Sequence, residues 1–157
     1  MPHVDTVNIA KPFVSATVGV LSMMAMISPK AGKPYVKRDS LAKGDVSAVV
    51  GITGAKNGTI SLSFEKACAV AIVKNMLGDE ITDILTDVRD AVGEITNMVS
   101  GQARSGLAEM GMVFQAGTPT VIMGDNHVIS HISSGPIMAI PFETEHGGFI
   151  LEFSFEG

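Results

Sequence analysis

The sequence predicts an α/β (α+β) domain of two layers, an antiparallel six-stranded sheet with long helices on one face, built as a pseudo-twofold internal repeat. Three observations predict it. Stretches of helical periodicity alternate with short strand-like stretches in the order helix, strands, helices, strands. Two Gly-x-Pro turns, Ala31-Gly32-Lys33-Pro34 and Ala116-Gly117-Thr118-Pro119, lie 85 positions apart, with the same order of elements around each. The 157 residues are 46% hydrophobic and 17% charged, enough apolar material for one core and too much for a disordered tail. The expected organisation is one domain over 1–157, with repeats at about 4–65 and 80–156.

The first element is a helix over about 4–27. Its uncharged run from Pro12 to Pro29 approaches membrane-spanning length. On a helical wheel, however, Lys11, Ser15, Gly19 and Ser22 gather on one side, and Ile9, Phe13, Ala16, Val20, Met23, Met24 and Ile27 on the other. That is a helix lying on a core, since a spanning helix is apolar all round. No small-residue cleavage site follows a basic start, so a leader is not expected either. Strands follow near 33–38, 46–53 and 58–65, the last two joined through the turn dipeptide Asn57-Gly58. A helix over 66–77 stops at Gly78, and a long helical pattern fills about 80–109. Strands near 119–123, 127–133, 136–143 and 148–156 close the chain, with Gly147-Gly148 as the final turn. Ile60-Ser61-Leu62-Ser63-Phe64-Glu65 matches Leu151-Glu152-Phe153-Ser154-Phe155-Glu156 at an offset of 91, which implies a six-residue insertion in the second repeat.

Composition removes several function classes. The net charge is −5, there is no Trp and only one Tyr, so neither phosphate gripping nor base stacking is supported and no nucleic acid partner is expected. Cys68 is the only cysteine, which excludes an intrachain disulfide and a thiolate zinc site and points to a reducing, cytoplasmic setting. His127 and His131 are four apart in a strand-like segment, but no carboxylate pattern completes a metal site with them. The stretch Gly51-Ile52-Thr53-Gly54-Ala55-Lys56-Asn57-Gly58 lacks the Gly-Lys-Ser/Thr ending of a phosphate loop and reads as hairpin. No serine sits in a nucleophile elbow, and the ten methionines read as core filler.

The helix over 80–109 has two faces. Ile81, Ile84, Leu85, Val88, Val92, Ile95 and Val99 share one arc and are expected in the core. Opposite them runs a narrow ridge of Asp83, Asp87, Asp90, Glu94, Asn97, Gly101 and Ser105. By pattern alone this is a solvated face, and Asp83 and Asp87 suit the positive end of the helix dipole. Asn97 fits that reading less well, because asparagine competes for backbone hydrogen bonds in a helix interior. Gly101 costs about 1 kcal/mol relative to alanine there, and close approach of a partner's backbone is one reason to keep it.

The stretch from Asp90 to Gly101 resembles the signature helix of the CheC–CheX–FliY family, which contains phosphatases of phosphorylated chemotaxis response regulators. Asp90, Glu94, Asn97 and Pro119 fit the family pattern of an acidic or serine residue, then Glu, Asn and a distant Pro, with the Asn-to-Pro interval one residue short. The opening from Asn8 to Met24 and the duplicated layout extend the resemblance over nearly the whole chain. At the 85-residue offset Glu94 falls on Ile9 and Asn97 on Pro12, so only the second repeat carries the motif. One intact motif is similar to the CheX-like branch, and the row of Ile9, Phe13 and Ala16 is left to packing or self-association.

The resemblance implies an aspartyl-phosphate phosphatase that docks this helix onto a phosphorylated CheY-like regulator. In that reading Glu94 and Asn97 are catalytic: Asn97 orients the attacking water and Glu94 pairs with the regulator's active-site lysine. Asp90 and Gly101 lie along the partner-binding surface. The protein has no metal or cofactor of its own, and Mg²⁺ is expected in the regulator. The resemblance further implies a homodimer through a sheet edge, read here as the strand Ile150 to Phe155 or its counterpart near Ile60 to Phe64. The alternative is a non-catalytic regulator-binding or flagellar-switch scaffold of the same fold, against which the intact Glu94 and Asn97 pair discriminates.

Overall fold

A computed structural model describes residues 6–37, 41–130 and 136–155. Helix α1 (Thr6–Ala25) leads into strands β1 (Lys30–Ala31), β2 (Tyr35–Lys37), β3 (Leu41–Gly54) and β4 (Gly58–Phe64). Helix α2 (Lys66–Leu77), a 3₁₀ turn at Gly78–Glu80 and helix α3 (Ile84–Glu109) follow, then β5 (Phe114–Ala116), β6 (Thr120–Ser130), β7 (Ile137–Thr144) and β8 (Gly147–Phe155). Among these described elements no helix is long and apolar enough to cross a membrane.

The strands form one antiparallel sheet in the order β1-β7-β8-β4-β3-β5, with β2 beside β1 along β7 and β6 beside β5 along β3. Exchanging the two repeats leaves this order unchanged. The axis passes through the pair Ser61↔Glu152 of β4 and β8, two residues that the 91-residue offset makes equivalent. The sheet has eight strand segments rather than the expected six, because each outer row is split by its Gly-x-Pro turn. Gly32 N–H still bonds across to Pro141 O at 2.7 Å and Gly117 N–H to Gly51 O at 3.0 Å. Pro34 and Pro119 have no N–H to continue the ladder.

β4 and β8 are not sheet edges, as their alternating pattern suggested, but pair with each other at the centre from Gly58↔Phe155 to Phe64↔Phe149. Alternation cannot tell an edge strand from a central one whose polar face is covered. Ile60, Leu62, Phe64, Phe149, Leu151 and Phe153 turn to the helices, where Phe13 of α1 stacks on Phe153 with 4.2 Å between ring centroids. The small polar residues turn the other way and are buried too. There Ser47 Oγ–H donates to Ser63 Oγ at 2.9 Å, and Lys37 Nζ meets Glu152 at 3.3 Å.

Helices α1 and α3 lie side by side and antiparallel, with Pro12 against Gly106, where an added Cβ would stand 2.9 Å from the proline ring. Three apolar residues assigned to the core are exposed instead. Met23 is 76% exposed, because the buried arc of α1 extends round through Ala10, Thr17 and Leu21 and leaves Met23 beyond its margin. Ile84 and Leu85 are 40% and 65% exposed at the start of α3, before the helix has reached the sheet. The β3–β4 turn also differs. It spans 55–57 with Gly54 carrying the positive φ of 128°, while Gly58 is already in β4, pressed on the Ser154 carbonyl of β8.

A bulge between Gly44 and Val46 interrupts the pairing of β3 with β6. It turns out Asp45, whose carboxylate accepts from Lys66 N–H at the start of α2 and from Asn126 N–H in β6, both at 2.9 Å. Those two bonds hold the Asp45 carboxyl below its ordinary 3.8. Its stabilisation is therefore complete above that value and lost as pH falls through the lower folded-state value. Asp45→Ala should cost about 1 kcal/mol, as loss of a helix cap does, lowering the thermal midpoint by about 2–4 °C at neutral pH. Melting curves at pH 7 and in increasing acid should show the gap between the two proteins narrowing on the acid side.

Candidate functional site

Helix α3 starts with its own acids. Asp83 caps it, accepting from Leu85 N–H at 3.2 Å, and Asp87 reaches back to the N–H groups of Thr82 and Asp83 at 2.9 and 3.2 Å. These two ridge residues therefore serve the helix end. Beyond them the buried face runs through Val88, Val92, Ile95, Val99 and Ala103. Thr96 is accommodated among them by donating to Val92 O at 2.8 Å.

The outer face is different. Asp90, Glu94 and Asn97 are exposed, and among the described residues no internal hydrogen bond or ion pair engages Glu94 or Asn97. Being three apart on a helix, they are neighbours on its surface. They line one wall of a cleft of about 750 Å³, whose opposite wall is the turn from Ala116 to Pro119 together with Val121. Pro119, 22 positions beyond Asn97 in sequence, is thus brought together with Asp90, Glu94 and Asn97. Gly101 is not in the cleft but one turn beyond Asn97 on the same helix. An added Cβ there would meet only the flexible Arg104 guanidinium, at 3.8 Å.

Sequence reasoning passed over two residues of this cleft. Gly93 lies beneath Glu94, and an added Cβ would stand 3.4 Å from Val121 Cγ2, so glycine lets α3 sit close to β6. Its place next to Glu94 inside an otherwise good helix former was the available signal. Arg89 also lines the cleft. A lone arginine near a helix start gave no signal of its own.

The first repeat carries a groove of about 520 Å³ beside its Gly-x-Pro turn. Ala10, Lys11, Val14 and Ser15 face that turn, rather than the Ile9 and Pro12 expected from the 85-residue offset. A strand register fixes the turn, whereas a packed helix can shift along its axis and keep its buried stripe. Ile9, Phe13 and Ala16 are core residues, so their row packs and is not a surface. No two of the groove's helix residues reproduce the Glu94 and Asn97 pair.

The other polar groups are structural. His127 bonds Ser47 Oγ at 2.7 Å and Gly124 O at 2.8 Å, which ties the β6 bulge to β3. His131 lies outside the described residues. Among the described residues no three His, Cys, Asp or Glu side chains converge on a point that could hold a metal. Cys68 is buried, and burial pushes its thiol up to about 11, so it is not a thiolate nucleophile near neutral pH.

The fold and this cleft present exposed polar side chains of one helix beside a Gly-x-Pro turn. Residues 46–143 match the family described as "Chemotaxis phosphatase CheX". The CheY-P phosphatase CheX of Thermotoga maritima is 31% identical over 116 residues, which are 73% of this chain and 74% of that protein. A crystal structure of a chemotaxis protein CheX from Desulfovibrio desulfuricans superposes with a TM-score of 0.92 at 65% identity, covering 94% of this chain and 99% of the other. The CheX of a CheX–CheY–BeF3–Mg complex from Borrelia burgdorferi shares the fold at a TM-score of 0.75 and 22% identity, over 94% of this chain and 97% of its own. The chain belongs to the CheX family of chemotaxis phosphatases.

Neither glycine nor asparagine is the residue best for stability inside a helix. Gly101→Ala should stabilise the protein by about 1 kcal/mol, raising the thermal midpoint by about 2–4 °C. Asn97→Ala should leave the midpoint unchanged or slightly raised, since it breaks no side-chain bond among the described residues. Thermal denaturation by circular dichroism checks both.

Proposed function

We propose that this chain hydrolyses the aspartyl phosphate of a CheY-like response regulator by docking α3 against it. The observation that carries this is the pair Glu94 and Asn97: exposed, adjacent, bonded to none of the described residues' side chains and set at the lip of a cleft, in a chain of the CheX family. In aspartyl-phosphate hydrolysis the remaining task is to place water in line with phosphorus. The Asn97 carbonyl oxygen accepts from that water while its NH₂ donates to a phosphoryl oxygen. Asparagine does not titrate near neutral pH, so it orients the water and takes no proton from it. Glu94, one turn away, pairs with a lysine of the regulator and holds the helix in register. Asp90 and Gly101 extend the contact along α3. The Mg²⁺ that balances phosphoryl charge belongs to the regulator in this reading, and the setting is the cytoplasm where such regulators work.

Positioning is worth roughly 7–11 kcal/mol, but only when the reacting groups are already assembled. Asn97→Ala should therefore abolish phosphate release from the phosphorylated regulator while binding survives, and Glu94→Lys should weaken binding as well. In the same assay p-nitrophenyl phosphate should stay intact with or without added Mg²⁺, and chelating the regulator's Mg²⁺ should stop the reaction. Near-normal turnover by Asn97→Ala, or Asn97-dependent cleavage of the small ester, would sink the mechanism.

The chain is further proposed to act as a homodimer with a continuous sheet. With β4 and β8 central, the available edges among the described strands are the β1–β2 row and the β5–β6 row. The β5–β6 row borders the Asn97 cleft. Pairing along β2, whose Tyr35 and Val36 are exposed, leaves that cleft open and answers the hazard of a free edge. Sedimentation equilibrium at micromolar concentration should show a dimer that Val36→Pro converts to monomer.

A further inference from the structure

Leu85 has the helical phase of a core residue and is nevertheless 65% exposed. It stands at the mouth of a second groove, of about 440 Å³, between the starts of α2 and α3. Ala69 and Val70 of α2, Val88 of α3 and Met123 of β6 give this groove apolar walls. Arg89 lines both this groove and the Asn97 cleft, so the two adjoin at that side chain.

The i+4 geometry of a helix connects them further. Leu85, Arg89, Gly93, Asn97 and Gly101 follow one another at intervals of four along α3, in a row that winds by about 40° per step from the margin of the buried arc at Leu85 to the outer ridge at Asn97 and Gly101. From Leu85 to Gly101 that row is about 24 Å long, at 1.5 Å per residue. The stretch from Asp90 to Gly101 alone offers a strip of about 200 Å², well short of the roughly 800 Å² that each partner contributes to a standard specific interface. A regulator that seats on Asn97 needs further surface, and the row leads from Asn97 through Arg89 to Leu85.

The groove's charges say what enters it. Lys66 is held by Asp125 at 2.7 Å, and Asp45 is occupied by two backbone N–H groups. Among the described residues, that leaves Arg89 as the cation at the junction with no ion pair.

We propose that the groove between α2 and α3 is a second docking point for the same response regulator, taking an aliphatic side chain against Leu85 and Val88 while Arg89 pairs with a neighbouring carboxylate. This rests on the proposed function, which supplies the regulator. Leu85 makes the same contact before and after phosphoryl transfer, so it contributes uniform binding, which lowers KM and leaves kcat alone.

The test is steady-state phosphate release from a phosphorylated CheY-like regulator, with wild type and the Leu85→Glu, Leu85→Ser, Arg89→Glu and Asn97→Ala variants. Leu85→Glu should raise KM at least tenfold at unchanged kcat, and Leu85→Ser should raise it less. Since Leu85 is exposed, both variants should melt as wild type does, and Leu85→Ser keeps the test valid if a glutamate disturbs the helix start. Arg89→Glu should raise KM and flatten its rise with salt. Unchanged KM for both Leu85 variants overturns the proposal, and so does a change in sedimentation on Leu85→Glu without a change in KM, which would assign the groove to a second copy of this chain. The two readings fail separately. If Asn97→Ala keeps full turnover while Leu85→Glu still raises KM, the water-positioning mechanism is wrong and the docking row stands. If only Asn97→Ala has an effect, the mechanism stands and the groove does not bind the regulator.

Discussion

Ser61 and Glu152 face each other where β4 meets β8, and that register sets how the two halves of the chain meet. A slip of one residue would turn one strand's apolar set away from the helices and bring its serines into the core. With the register in place, Phe13 finds Phe153 and the two long helices come to lie side by side over the same face. The site inherits its position from that arrangement. Helix α3 is seated on β6 through Gly93, β6 is held to β3, and the Gly117-Thr118-Pro119 turn projects from this edge towards Asn97.

The cost of this register lies on the far side of the sheet, where a carboxylate, a lysine and several hydroxyls leave water together. Glu152 is 1% exposed and would be prohibitive there without a cation and hydrogen bonds. Lys37 of β2 supplies a charge at 3.3 Å, and His127, Ser47 and Ser63 form a short chain of hydrogen bonds nearby. The polar face thus links outer strands to the centre, and β2 and β6 are tied in by side chains as well as by ladders.

The two repeats have diverged in opposite senses around the same construction. Each has a helix beside a Gly-x-Pro turn with a groove between them, and in each the turn's glycine bonds across to the neighbouring strand. In the second repeat the helix face carries Glu94 and Asn97 with no side-chain partner among the described residues. In the first, Ala10, Lys11 and Val14 stand at the groove. Polar groups without internal bonds on a helix add little to folding, so a Glu and Asn pair found on one copy alone matches a surface kept for something outside the chain.

Much of this was legible in the sequence. Local periodicity determined the helices and most strands, the two Gly-x-Pro turns and the 91-residue offset determined the duplication, and the motif around Asp90, Glu94 and Asn97 determined the family to which the site points. These depend on neighbours within a few residues, or on one copy resembling the other. Tertiary structure alone decided which strands are central, because alternation looks the same on an edge and on a central strand with a covered polar face, as in β4 and β8. It decided that Pro119 shares a cleft with Asn97, since nothing local sets the distance between a helix and a turn 22 positions later. It also decided that Leu85 is outside. A helical wheel gives a direction and no depth, and the first turn of α3 has the direction of the core before the helix arrives over it.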